Sequence, residues 1–136
     1  MAWKLFVDDD ADGSRRPAIS VENPGWRVSL GLPPVPPDVF HLGDWVVARS
    51  HDEAIAAMEA RGLPDFVSFD HDLGDGKDGI AVARWIIERD LDDGSLPDGF
   101  GYEVHSANPV GRANISGLME SYLRQRTRNS GEVSPA

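Results

Sequence analysis

Phe66-Val67-Ser68-Phe69-Asp70-His71-Asp72-Leu73-Gly74-Asp75-Gly76-Lys77-Asp78-Gly79 is the stretch on which the fold turns. Its first four residues form a short, mostly apolar run after Pro64, with the length of a strand buried on both faces. The run ends at an acid and passes into a glycine-rich loop. From Gly79 to about Leu91, Ile80, Ala83 and Ile87 then recur at helical spacing. The unit is strand, acidic loop, helix.

Related units flank it on both sides. Trp45-Val46-Val47-Ala48-Arg49 reads as a strand, and Ser50-His51-Asp52-Glu53 has the capping-box spacing that satisfies orphan amides at a helix start. Ala54, Ile55 and Met58 give that helix an apolar face, and Gly62 and Pro64 stop it. Gly101-Tyr102-Glu103-Val104-His105 is a further strand, after which Asn108-Pro109 opens a helix carrying Ile115, Leu118, Met119 and Tyr122. At the front, Trp3 to Val7 is an apolar strand that runs into Asp8, Asp9 and Asp10.

Between Gly13 and Gly43 lie six of the ten prolines, so this stretch reads as an insert or lid outside the core. Within it, Trp26-Arg27-Val28-Ser29-Leu30 alternates as an edge strand or hairpin arm would, and Pro33-Pro34-Val35-Pro36-Pro37 suits extended polyproline. Residues after Arg126 read as a polar, frayed tail that includes Arg128, with Arg124 and Arg126 in solvent. The expected organisation is one α/β domain over 1–126, with the insert at about 13–43 and a tail at 127–136. Strands alternating with amphipathic helices imply a mostly parallel sheet of about four strands with helices on both faces. Such sheets bind ligands beyond the carboxyl ends of their strands.

Composition narrows the function. A chain of 136 residues buries roughly two-thirds of its unfolded surface in one core. Without cysteine there is no disulfide, thiolate zinc site or cysteine nucleophile. The start, MAWKLFVDDD, is too short in apolar residues for a signal peptide, and no apolar run is long enough to span a bilayer. The expected location is the cytoplasm. A net charge of −10 argues against an extended nucleic-acid surface, which needs clustered Lys and Arg, yet permits a small phosphorylated ligand held through a metal. Of the 23 acids 16 are Asp, a residue suited to caps, turns and metal-bearing loops.

Three strand ends deliver polar groups to one edge of such a sheet: Asp8 and Asp9, Asp70 to Asp72, and His105 with Ser106. Carboxylates brought together repel one another unless a cation neutralises them, and hard oxygen ligands suit Mg2+ or Mn2+. The plainer reading of each group is local: acids ending a strand in solvent, Asp72 and Asp78 capping turns, Asn108 as a helix cap. His41 and His51 read as surface or packing residues, Gly74 and Gly76 as turn residues, and Trp85, Ile86 and Ile87 as core.

The acid pair after strand one, Asp70 ending strand three, Asp78-Gly79 opening the next helix and Ser106 after strand four resemble response-regulator receiver domains. That resemblance implies a receiver-like (flavodoxin-like) sheet with strand order 2-1-3-4. It fails at the fifth strand, whose Lys-Pro ending has no counterpart: the only lysines are Lys4 and Lys77. Ser68 to Gly74 and Val104-His105-Ser106-Ala107-Asn108-Pro109-Val110-Gly111-Arg112 resemble more closely the cyclic-phosphate-processing receiver group. This implies activity on a cyclic phosphate of a nucleotide or RNA terminus. Asp70-His71-Asp72 also matches the Asp-x-Asp of haloacid-dehalogenase phosphatases, but that motif usually stands near an N-terminus, ahead of more elements than this chain holds.

The expected chemistry is therefore a metal-dependent phosphoesterase. Asp8, Asp9 and Asp70 hold a divalent metal, and Arg49 or Arg112 stabilises developing phosphate charge. His71 and His105 form a proton-transfer pair with Asp72 beside them, while Ser106, Asn108, Asn114 and Arg112 orient the substrate. The alternative is a phosphoacceptor or metal- and phosphate-binding module without turnover. The missing lysine disfavours its signalling form. Oligomeric state is left open.

Overall fold

The computed structural model describes residues 3–8, 21–35, 45–70, 79–97, 99–105 and 109–133, with side chains in the last stretch described as far as 126. In chain order the elements are β1 (Lys4–Val7), α1 (Pro24–Ser29), β2 (Trp45–Ala48), α2 (His51–Arg61), β3 (Phe66–Phe69), α3 (Gly79–Asp93), β4 (Gly101–Val104) and α4 (Pro109–Val133). The strands form one parallel sheet in the order β2-β1-β3-β4, as the receiver-like reading implies. β1 and β3 are central and wholly buried, which explains their largely apolar character.

Alternation along the strands sorts the core into two faces. Leu5, Val7, Val67 and Phe69 pack with Ala54 and Met58 of α2, Val82, Ala83 and Ile86 of α3, and Ile115 and Met119 of α4. The three long helices thus share one side. Phe6 and Phe66 face the other way, against Val21, Trp26, Trp45 and Val47, so the described part of the insert covers the second face.

That finding corrects two expectations. Trp26 to Leu30 is helix and irregular turn, not an edge strand or hairpin arm. Asn23 accepts a hydrogen bond from the Trp26 amide at 3.1 Å and Pro24 stands in the first turn, so a cap and a preset φ favour helix locally. The alternation misleads because its apolar member Val28 is 56 % exposed while Arg27 is fully buried. Nor is this segment a lid outside the core: Arg27 is tied back to Pro33 O at 2.8 Å and across to β4. Residues 36–37 of the expected polyproline run lie outside the described residues.

Helix α2 starts on its expected cap, with Ser50 Oγ accepting from Glu53 N at 3.1 Å, and ends at Gly62, whose φ of 83° suits glycine. Glu53 reaches one residue further back than a capping box requires, accepting from Arg49 N at 3.3 Å. Helix α4 runs past Arg126 to Val133, so the backbone over 127–133 is helical where a frayed tail was expected. Arg126 is no solvated tail residue: its Nε donates to buried Asp90 at 2.8 Å and its Nη2 to Leu96 O at 3.1 Å, locking α4 onto α3. No helix among the described residues is long and apolar enough to cross a membrane.

Candidate functional site

Register builds the site. Phe6 is opposite Ser68, and Ser68 opposite Glu103, so the three side chains line one face in a row across β1, β3 and β4. Two residues on, the same face carries Asp8, Asp70 and His105. Ladder hydrogen bonds extend past the strand ends to hold them, from Asp8 N to Ala48 O at 3.0 Å, Asp70 N to Val7 O at 3.0 Å and His105 N to Phe69 O at 2.8 Å. Each residue offers one ligand atom, and the three atoms lie within 4.8 Å of one another.

Asp8 and His105 are buried, at 5 % and 3 % exposure, and Asp70 is half-buried. His105 Nε2 stands 3.2 Å from Asp8 Oδ2, yet among the described residues it makes no aligned hydrogen bond. Asp8 and Asp70 bring hard carboxylate oxygens together, and such oxygens suit Mg2+ or Mn2+. The donor set fits such a metal.

The ring of His105 is fixed from its sides. It stacks on Phe6 at 4.5 Å between centroids and 17° between planes, and Trp26 of the insert lies 6.1 Å away. Its Nδ1 is 2.7 Å from Ser68 Oγ, which in turn lies 3.5 Å from Glu103 Oε2. Glu103 is held by Arg27, with Nη2 donating to Oε1 at 2.6 Å and Nη1 to Oε2 at 3.4 Å. A polar chain therefore runs beneath the site from Arg27 through Glu103, Ser68 and His105 to Asp8.

Gly79 shows how closely α3 abuts the site. A Cβ there would stand 1.9 Å from Asp70 O and 3.1 Å from Ile115 Cδ1, so any larger residue displaces the helix start from Asp70. This is the physical need behind glycine at the opening of α3.

Of the residues expected at the site, the structure brings together Asp8, Asp70 and His105. Arg112 is on the first turn of α4, half-buried, donating to Leu30 O at 3.3 Å and lining a cleft of about 550 Å³ with Leu32 and Glu103. Arg49 is exposed just past β2. Asn114 is exposed on α4. Asp9, His71, Asp72, Ser106 and Asn108 lie outside the described residues, as does His41. His51 pairs at the surface with Asp52, Nδ1 to Oδ1 at 3.1 Å.

Sequence reasoning missed Arg27, Ser68 and Glu103. Two carried a signal: Ser68 is the polar residue of a buried strand two places before Asp70, and Glu103 stands two places before His105. Strand alternation alone sets both on the site's face. Arg27 carried none, because its partner is 76 residues away.

A family model for the cyclic-phosphate processing receiver domain matches residues 3–121. Similar solved structures include the N-terminal domain of a response regulator/sensory box/GGDEF 3-domain protein from Carboxydothermus hydrogenoformans. It is 17 % identical, covering 94 % of this chain and 98 % of that one, with a TM-score of 0.47. A response regulator receiver domain protein from Clostridium thermocellum is 16 % identical over 93 % of this chain and 98 % of that one, with a TM-score of 0.45. The receiver domain of NtrX from Brucella abortus is 19 % identical over 89 % and 98 %, with a TM-score of 0.42. Among curated proteins no relative matches the chain.

Proposed function

The chain belongs to the cyclic-phosphate processing receiver domain family, and we propose that it is a metal-dependent phosphoesterase acting on a cyclic phosphate of a nucleotide or RNA terminus. The observation that carries this reading is the convergence of Asp8, Asp70 and His105 within 4.8 Å at the carboxyl edge of the sheet. A purely structural acid cluster has little use for a buried imidazole turned towards two carboxylates.

Asp8 and Asp70, with Asp9 from the same strand end, are the residues we assign to the metal. When bound, a divalent ion supplies charge stabilisation to a phosphoryl oxygen. Hydrolysis of a cyclic phosphodiester adds one water: an oxygen–phosphorus bond forms, a ring phosphorus–oxygen bond breaks, one proton leaves the water and one reaches the departing oxygen. His71 and His105 are the pair we assign to those two protons, with Asp72 beside His71. Arg49, Arg112, Ser106 and Asn108 are assigned to holding the phosphate, as cations and hydrogen-bond donors around its oxygens.

The test is a panel of 2′,3′-cyclic and 3′,5′-cyclic nucleotides, a cyclic-phosphate-ended RNA oligomer and linear monoesters, with and without Mg2+ or Mn2+. Turnover is expected on a cyclic substrate, dependent on metal and lost in Asp70→Asn. Positioned acid–base groups contribute about 10²–10⁴-fold, so His71→Ala and His105→Ala should each lose at least a hundredfold. Turnover in both variants within roughly threefold of wild type removes the histidines from the reaction. No turnover on any substrate, with a stable adduct at Asp70 from acetyl phosphate, makes the chain a phosphoacceptor module instead.

A further inference from the structure

We propose that the cleft between α4 and the turn after α1 receives the nucleobase of the substrate, bound edge-on by the Tyr102 carbonyl and the Val104 amide of β4. That the base belongs to a cyclic nucleotide rests on the phosphoesterase reading; that a base is what the cleft holds is argued from the cleft's own groups.

The cleft, of about 550 Å³, is lined by Gly31–Pro33 of the insert, by the first two turns of α4 and by β4 from Tyr102 to Val104. Its volume lies in the small-molecule range of about 300–1,000 Å³. The insert wall is fixed in place. Leu32 N donates to Arg27 O at 3.0 Å, Arg27 Nε to Pro33 O at 2.8 Å, and Arg112 Nη1 crosses from α4 to Leu30 O at 3.3 Å. Gly31, at φ 80°, lets that guanidinium approach, since a Cβ there would stand 2.9 Å from Arg112 Cζ. The two walls are thus tied to each other.

β4 is the outer strand of the sheet, and among the described residues only β3 pairs with it. Gly101 N and His105 N donate towards β3, to Asp65 O at 3.1 Å and Phe69 O at 2.8 Å. Alternation then turns the N–H and C=O groups of Tyr102 and Val104 outwards, to the cleft they line. Leu32, Pro33 and Ala113 add apolar surface around them. The ligand that suits this lining is apolar across its faces and carries a donor and an acceptor side by side on one edge. An acyl chain leaves the backbone groups unsatisfied, whereas a nucleobase has such an edge on a flat ring. An extended peptide matches the edge as well, but β4 turns only two residues outwards, a short run for strand addition. Position favours the base too. Val104 immediately precedes His105, and α1, which leads into the insert wall, places Trp26 6.1 Å from the His105 ring. The cleft and the Asp8, Asp70 and His105 cluster are therefore neighbours, as the two ends of one nucleotide require.

1H–15N correlation spectra of the full chain, titrated with the common ribonucleosides and with methyl riboside, read the cleft in the absence of phosphate and metal. At least one nucleoside should shift the Tyr102 and Val104 amide resonances, and methyl riboside, which has the sugar without the base, should not. Ala113→Trp, at an exposed position of α4, fills the cleft and should abolish the shifts. Ser116→Leu, which also lines the cleft, serves if that variant does not fold. On a cyclic nucleotide that wild type turns over, Ala113→Trp should raise KM about tenfold with kcat unchanged, because it removes binding shared by ground and transition states. Nucleosides that leave both amides unmoved overturn the proposal, as do shifts that persist in both folded variants. Amides that respond only to a capped Thr-Val repeat peptide make the cleft a strand-addition site and overturn it equally. Nucleoside binding in the cleft of a protein that turns over no cyclic phosphate upholds the base site while the phosphoesterase reading falls; turnover with both amides unmoved does the reverse.

Discussion

Two buried aspartates stand in contrasting surroundings in this molecule. Asp90, on α3, is surrounded by donors: Tyr122 Oη, Arg126 Nε at 2.8 Å and Leu96 N at 3.0 Å. Burial pushes its carboxyl up, but the hydrogen bonds from Tyr122, Arg126 and Leu96 and the Arg126 charge outweigh this and hold it below its ordinary value. Asp8, at the sheet edge, instead stands with Asp70 and His105, which bring further ligand atoms to the same point. Burial alone therefore says little about a carboxylate's purpose. A shell of donors makes a structural lock, whereas ligand atoms converging on one point suit a cation.

The comparison breaks most severely if the lock is not a lock. Removing one member of a buried ion pair leaves the other uncompensated, a cost of about 3–5 kcal/mol in full burial. Arg126 is 30 % exposed, so Asp90→Ala should cost about 2–3 kcal/mol in urea unfolding. The same variant should bind Mn2+ as wild type does. An unfolding midpoint within error of wild type would return Arg126 to the role of a solvated residue.

The other side of the comparison is read by linkage. Mn2+ at a hundredfold excess over its dissociation constant should stabilise the wild type by about 2.7 kcal/mol. Asp8→Asn and Asp70→Asn should lose that gain, and Asp90→Ala should keep it. Equal gains in all four proteins would place any bound ion elsewhere.

Titration sharpens the contrast by a smaller effect. Burial, together with the hydrogen bond to Asp90 and its charge, pushes the Tyr122 hydroxyl up to about 12 from its ordinary 10. A group that loses its proton less readily when folded contributes stability that is complete below pH 10. That contribution is lost as pH rises through 10 towards about 12. Asp90 works in the opposite sense, its contribution being present above its unfolded value and lost as pH falls through the lower folded one. Tyr122→Phe should therefore flatten the alkaline limb of the stability profile and leave the Mn2+ response intact. An alkaline limb identical to wild type would detach Tyr122 from the lock.

Much of this was legible in the chain. Trp3 to Val7 and Phe66 to Phe69 announce central strands because a strand buried on both faces has no polar side to alternate with. The acids that end them mark the carboxyl edge of the sheet. Ser50 and Gly62 bracket α2 because capping is a contest among neighbouring backbone groups, decided within one turn. Trp26 to Leu30 was misread for the complementary reason. A five-residue alternation fits either element, and the outcome there depended on Asn23 and Pro24 at one end and on a distant carboxylate at the other.

The sequence by itself determined the elements, their order and the carboxylates at the strand ends, because periodicity, caps and strand length are interactions between residues a few places apart. Only the tertiary structure decided that Arg27 of the proline-rich insert is buried against Glu103, that Ser68 bridges Glu103 to His105, and that Asp90 rather than solvent receives Arg126. Those pairings join positions 76, 35, 37 and 36 residues apart. They exist because strand register and helix packing place side chains on one face at hydrogen-bonding distance, and a buried charge in that setting must find a partner wherever the fold supplies one.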